Sequence, residues 1–355
     1  MMSPRVTPPR RRATLSDIAV RLGVSKAAVS FALNGRPGVS EDLREQVLAV
    51  AAELHYRPSS AALALGGSRA DVIGLVLNRP ARTLGTEAFF PELMAGIQAG
   101  LAPTHTGLQT LVVASLAEEV DAYRTWQATQ RVDGVILIDP RRDDERVALV
   151  AELGLPAVQI GSHPSVDPTV PTVWVDDHEV ATRLFDAMFA LGHRRVGYVM
   201  GPLDLEHTEL RRQAFHDCVG RYDAGTPVSV ETDYSAEQSA AATLDLLRRD
   251  DRPSAVVYDN DVMALAGLRV AQEEGVTVPR ELSIASFDDS IAMRLVRPSI
   301  TALTRDTYAL GELAARTLMQ VVTAAGSDAI VGSVAGMTPT LSVRESTAPS
   351  LDAQG

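Results

Sequence analysis

The sequence predicts two joined parts of different class: a short all-α head, then a long α/β body of two doubly wound parallel-sheet subdomains. Three observations carry this. Apolar residues repeat at helical spacing through residues 14–57. From Asp71 onward, short apolar runs alternate with amphipathic stretches, the pattern of strands crossed over by helices. Charge divides along the same lines. Residues 1–70 hold ten Lys and Arg against five Asp and Glu, a net of +5, while the remainder holds 23 against 40, a net of −17. A basic head on an acidic body assigns any polyanion partner to the head.

Residues 1–13 read as a disordered basic arm. In "TLSDIAVRLG", Leu15, Ile18, Ala19 and Leu22 stand at i, i+3, i+4 and i+7, and Thr14 with Asp17 three places on forms a capping box. Gly23 ends this helix. Ser25 caps a second helix that runs to about Leu33, and "NGRPG" closes it. Ser40 caps a third, with Glu41 and Asp42 in its positive first turn and Leu43, Val47, Val50 and Leu54 as its stripe.

Two short helices joined by a glycine-containing turn, followed by a third, describe a helix-turn-helix, whose second helix enters the DNA major groove. Val29, Ala32 and Leu33 share the inner face of that helix. Lys26, the only lysine of the chain, lies with Ala27 and Phe31 on the opposite face. An exposed ring there suits contact with a thymine methyl; the alternative is packing on the arm or on a dimer neighbour. Thr14, Ser25, Ser30 and Asn34 carry hydroxyls or an amide placed to grip phosphates, or simply to cap helices.

Residues 58–70, beginning "PSSAALALGG", have Pro58 to open a helix and Gly66–Gly67 to end it. The stretch between is too short for an isolated helix in water. In the body, strands are expected at 72–77, 109–115, 134–139, 157–161, 172–176, 195–201, 254–259 and 282–289, with helices such as "HEVATRLFDAMFALGH" between them. Ligands bind such sheets at the carboxyl ends of the strands. There stand Asn78, Asp139, Asn260 with Asp261, and Asp288 with Asp289.

Other classes lose support. The single cysteine, Cys218, excludes a disulfide framework and reads as a packed helix residue. No apolar run reaches the ~18 residues of a membrane span. The first residues lack the apolar stretch of a secretory signal, so a cytoplasmic location is expected. There is no GxGxxG, phosphate-binding loop, nucleophile elbow or metal-spaced histidine cluster, so no enzyme, cofactor or metal is expected.

The stretch "TLSDIAVRLGVSKAAVSFALNGRPGVSEDLREQVLAVAAELHYRPSSAALAL" resembles the head of the LacI/GalR bacterial transcription repressors. The body resembles the periplasmic-binding-protein-like sensor of the same family through "RVDGVIL", "LGHRRVGYV", "YDNDVMALAGLR", "GVTVPRELSIASFDD" and "LSVRESTA". The family often has Thr at position 28 and Arg at position 31, so Ala28 and Phe31 imply a different operator. The resemblance implies that Ser40 joins the DNA-facing set. It implies a hinge helix carrying Ser59, Ala62 and Leu65, with Leu65 wedged between central base pairs. It implies an effector site of Arg211, Tyr234, Asn260 and Asp288, joined by Asn78 and Asp139. For Arg211, Asn260 and Asp288 a helix cap or an ion pair between subdomains is the alternative. The expected molecule is a homodimeric repressor on a near-palindromic operator, responding to a sugar or related hydroxylated molecule. An activator of the same architecture, or a sugar-binding protein without a regulatory role, stands second. The sensor subdomains are expected at 71–161 with about 291–323, and at 162–290 with about 327–346. A disordered tail is expected at 347–355, too polar and short to form a tetramer.

Overall fold

The computed structural model describes residues 13–33, 35–54, 56, 69–80, 84–161, 170–325 and 331–351. The chain divides into two compact units, residues 1–70 and 71–355.

The first unit is three helices: α1 (Leu15–Leu22), α2 (Lys26–Leu33) and α3 (Glu41–Glu53). The capping box at Thr14 and Asp17 is present in both directions, and Gly23 ends α1 in the left-handed region at φ 69°. Ser25 Oγ accepts from Ala28 N at 3.2 Å, and Ser40 Oγ accepts from Leu43 N at 3.3 Å, so each later helix starts on its own hydroxyl. Ile18, Ala19, Val29, Ala32, Val47 and Ala51 close over one another as the core. An Arg21–Glu53 ion pair joins α1 to α3 outside it.

The second unit holds two six-stranded sheets. The strands of the first are β1 (Val72–Leu77), β2 (Gly107–Val112), β3 (Gly134–Leu137), β4 (Ala157–Gly161), β5 (Thr172–Trp174) and β11 (Val334–Ala335), in the order β11-β5-β4-β3-β1-β2, all pairs parallel. The second takes β6 (Val196–Met200), β7 (Val228–Glu231), β8 (Ala255–Tyr258), β9 (Ser283–Ser286), β10 (Thr301–Thr304) and β12 (Thr340–Ser342), in the order β12-β10-β9-β8-β6-β7. Only the β10–β12 pair is antiparallel.

Helices cover both faces of each sheet. On the first sheet these are α4 (Phe89–Leu101), α5 (Leu116–Ala128), α6 (Glu145–Glu152) and α12 (Thr307–Ala324). On the second they are α7 (Asp177–Ala190), α8 (Glu206–Arg221), α9 (Ala236–Leu247), α10 (Asp261–Glu273) and the short α11 (Ile291–Leu295). Helices α4 and α12 meet backbone to backbone. A Cβ at Gly96 would sit 1.9 Å from Tyr308 O, and one at Gly311 2.3 Å from Leu93 O.

Among the described residues the chain crosses between lobes three times: after Trp174, after Thr304 and after Ala335. These points differ from the subdomain limits expected from the sequence. Strand β5 hydrogen-bonds to β4 and stays in the first lobe, although the sequence places all of 162–290 in the second. Strand β10 pairs with β9, and Met293 is buried in the second core, so 291–304 belong to the second lobe, not the first. Strand β11 pairs with β5 and lies in the first lobe, not the second. The expected disordered tail also differs over residues 347–351. Ser350 N donates to Leu191 O at 2.8 Å, Ala348 N donates to Ser283 Oγ at 3.1 Å, and Ser350 is buried. Cys218 is fully buried in the second core, and its thiol is pushed up to about 12 by burial and by Asp186.

Candidate functional site

In the helical unit, Val29 and Ala32 are buried while Lys26, Ala27 and Phe31 are exposed, so α2 presents these three side chains to solvent. Phe31 shows 39% of its surface, an uncommon display for a ring when a core lies one helix face away. Thr14, Ser25 and Ser40 are engaged as caps, their hydroxyls bound to their own helices. Ser30 is half-buried. Asn34, Ser59, Ala62 and Leu65 lie outside the described residues.

The second candidate site is the cleft between the two lobes of the body. Five of the six expected effector residues line it: Asp139, Arg211, Tyr234, Asn260 and Asp288. Asn78 does not. With its amide oriented to satisfy its neighbours, Asn78 Oδ1 accepts from Leu116 N at 3.1 Å and Arg141 Nη2 at 3.2 Å, serving the start of α5 instead. Arg79, Glu87, Asp177, His207, Asp259 and Arg305 complete the polar lining. Arg79 and Asp259 stand just past β1 and β8, and Asp177 opens the helix after β5. Counting charges at strand ends would have found these three. Nothing in the sequence marks Glu87 or His207.

Each cleft cation faces carboxylates. Arg211 is buried; its Nη2 lies 3.1 Å from Asp177 Oδ1, its Nη1 3.3 Å from Asp259 Oδ1, and its Cζ sits 4.6 Å from the Phe287 ring centroid. Burial opposes its charge, but the two aspartates outweigh that and hold its pKa well above the ordinary value. Asp259 is held in turn by Tyr198 OH at 2.5 Å and Gly201 N at 2.7 Å. Arg79 Nε donates to Asp139 Oδ2 at 2.8 Å. Burial would raise the Asp139 carboxyl, yet the Arg79 guanidinium brings it down to about 2. Arg305 is the weakest pair: its Nε lies 3.4 Å from Asp288 Oδ1, and its buried Nε and Nη2 make no hydrogen bond among the described residues.

Tyr234 adopts φ 67°, a strained backbone for an aromatic residue. Its hydroxyl lies 2.9 Å from His207 Nε2 and 3.1 Å from Thr208 Oγ1. Burial and Arg211 lower the His207 pKa. Asn260 Oδ1 caps α10 by accepting from Met263 N at 2.8 Å, while its Nδ2 donates across the cleft to Glu87 Oε1 at 3.2 Å. Burial drives the Glu87 carboxyl up to about 8, with Arg79 opposing and Asp139, Asp288 and Asp261 adding to the rise.

Further contacts join the lobes at the rim. Glu206 N donates to Pro140 O at 2.9 Å, and Arg141 Nε to Asp204 Oδ2 at 3.2 Å. The Asp139–Asp144 loop that makes them is fixed from below. Buried Arg146 donates to Glu119 Oε1 at 2.7 Å, to Asp139 O at 2.9 Å and to Asp144, and Tyr123 OH donates to the same Glu119 oxygen at 2.7 Å. About 90 Å³ of water-accessible space remains in the cleft, which is partly open to solvent. Among the described residues no group of His, Cys, Asp and Glu is arranged to hold a metal, and no helix is long and apolar enough to cross a membrane.

Residues 14–59 match the bacterial regulatory proteins of the lacI family, and residues 185–347 match the periplasmic binding protein-like domain. The HTH-type transcriptional regulator CelR of Thermobifida fusca is 31% identical over 321 residues, covering 88% of this chain and 93% of CelR. A solved complex of the transcriptional regulator CelR with cellobiose superposes with a TM-score of 0.70 at 27% identity, over 94% of this chain and 100% of that one. The lac repressor dimer bound to operator and the anti-inducer ONPF superposes with a TM-score of 0.77 at 25% identity, over 95% and 100%. A helix-turn-helix head whose second helix turns one face to solvent, a two-lobed body with a polar cleft, and similarity over nearly the whole chain lead to one assignment: the protein is a member of the lacI family of bacterial regulatory proteins.

Proposed function

We propose that this protein is a homodimeric transcriptional repressor that releases or grips a near-palindromic operator according to a small neutral polyhydroxylated effector, a sugar in the first instance. The observation that carries the DNA half is the outward face of α2. Lys26, Ala27 and Phe31 are exposed on a helix whose other face is locked by Val29 and Ala32. Such a face serves base edges in a major groove.

The effector half rests on the pairing of charge in the cleft. Arg79 and Arg211 are each hydrogen-bonded to a carboxylate, so a phosphate or carboxylate ligand would compete there with built-in anions, while Arg305, only 3.4 Å from Asp288, keeps donors for a ligand oxygen. Hydroxyls, which both donate and accept, bond to paired charges without taking the place of their carboxylates. The cellobiose named with CelR agrees with this chemistry. The dimer half is supported by α11, where Ile291 and Leu295, one helical turn apart, are 73% and 72% exposed. The Leu65 wedge and the hinge helix belong to the same proposal, as does an effect of ligand on DNA affinity through differential binding to two states.

Fluorescence anisotropy with palindromic duplexes from the protein's own promoter region tests the reading. Specific binding should fall steeply with salt. Lys26→Ala should weaken the cognate duplex most, with a smaller loss on every duplex from the missing charge. Phe31→Ala should weaken only the cognate one, by roughly 1–3 kcal/mol. Equal affinity for random and palindromic duplexes would remove the proposal.

A further inference from the structure

We propose that Arg79 is a tethered occupant of the cleft's aromatic platform, a specificity-determining residue that a ring-shaped effector must displace from Tyr234. Arg79 belongs to the first lobe and Tyr234 to the second, yet the Arg79 Cζ lies 4.3 Å from the Tyr234 ring centroid, a cation–π contact made across the cleft. The guanidinium is held there by Asp139 at 2.8 Å. The ring cannot slide from under it. The Tyr234 hydroxyl is bound by His207 and Thr208, and Gly201 sits so close that a Cβ there would be 2.0 Å from the ring. A ring ligand therefore reaches the tyrosine face only where the guanidinium has left it. The contact also joins the lobes, so Arg79 and the effector compete for one surface while both favour closure. This deepens the sugar-effector reading and rests on it only for the identity of the displacing molecule.

The backbone amide of Glu206, which donates to Pro140 O across the lobes, reports opening directly. Hydrogen exchange is measured on the full-length protein with no small molecule added, in Arg79→Met combined with Asp139→Asn, which avoids stranding a buried carboxylate, and separately in Tyr234→Leu. Each should speed Glu206 exchange about tenfold or more, because a desolvated cation–π contact is lost, while the amides of Ala255–Tyr258 in the second core keep their rates. An unchanged Glu206 rate, or equal acceleration at Ala255–Tyr258, overturns the assignment. Calorimetric titration with cellobiose as probe should show tighter binding to the Arg79→Met, Asp139→Asn protein than to the wild type. Weaker binding would overturn displacement. Faster Glu206 exchange with no cellobiose binding by either protein would uphold the cross-cleft contact and sink the sugar reading instead.

Discussion

Glu87 offers the sharpest test of the cleft's electrostatics. Its carboxyl is buried in the first lobe and accepts from Asn260 Nδ2 of the second at 3.2 Å. With its pKa pushed up to about 8 by burial, it carries a proton at neutral pH. In the unfolded chain the same group ionises near the ordinary 4.5. The folded protein therefore holds a proton that the unfolded chain has released, throughout the window from pH 4.5 to 8. Stability must fall as pH rises through that window and level off above it. Each pH unit corresponds to about 1.4 kcal/mol, so the full shift sets an upper bound of about 5 kcal/mol. The lobes can part before the fold melts, which hydrates the carboxylate and caps the loss; about 2–3 kcal/mol is the expected remainder. Glu87→Gln keeps the shape and the acceptor for Asn260 but has no proton to lose. Urea titrations of both proteins between pH 4.5 and 8.5 should give curves that coincide at the acid end and separate by about 2–3 kcal/mol at pH 8, with the glutamine protein the more stable. Asp261, raised to about 6 by burial, slopes the same way in both proteins and cancels in the difference. A gap that stays constant with pH, or a wild type that is the more stable at pH 8, would refute the argument.

Arg211→Ala removes the only cation paired with both Asp177 and Asp259 among the described residues, and should lower stability by about 3–5 kcal/mol in urea titration. Arg211→Met with Asp177→Asn should recover part of that loss. Gly96→Ala places a methyl 1.9 Å from Tyr308 O, against backbone that cannot yield as a side-chain tip would, and should cost about 2–3 kcal/mol, read as a drop in Tm. Leu295→Asp sets a charge on the exposed apolar turn of α11 and should shift the protein from dimer toward monomer in analytical ultracentrifugation with no loss of melting temperature measured on the monomer.

What the sequence made legible follows the range of the forces involved. The head was readable because its signals are local. Thr14, Ser25 and Ser40 cap helices within three residues of themselves, and Val29 with Ala32, like Val47 with Ala51, stand at helical spacing. Buried parallel strands such as β1 and β8 were readable as apolar runs. Strand β7 was not, because it is a sheet edge of half-exposed residues in which "VSVE" shows no such run. Sheet membership was the least legible property. Strands β5 and β10 carry compositions either lobe would accept, and only their hydrogen-bonded neighbours assign them.

The cleft shows why residue roles are harder to read than residue positions. Asn78, Arg79, Asp139 and Asp259 all follow strand ends, where ligands bind such sheets. The rule is silent on which of them faces a ligand, which faces a helix terminus and which faces another charge. Asn78 is drawn away by the unsatisfied amide at the start of α5 and by Arg141. Arg79 is drawn inward by Asp139 and by an aromatic face that lies far along the chain in the other lobe. A buried guanidinium must find a carboxylate before it can serve a ligand, since leaving it unpaired costs several kcal/mol. In a cleft of paired charges, specificity then depends less on which polar residues are present than on which pairs a ligand can open, and that competition is written only in three dimensions.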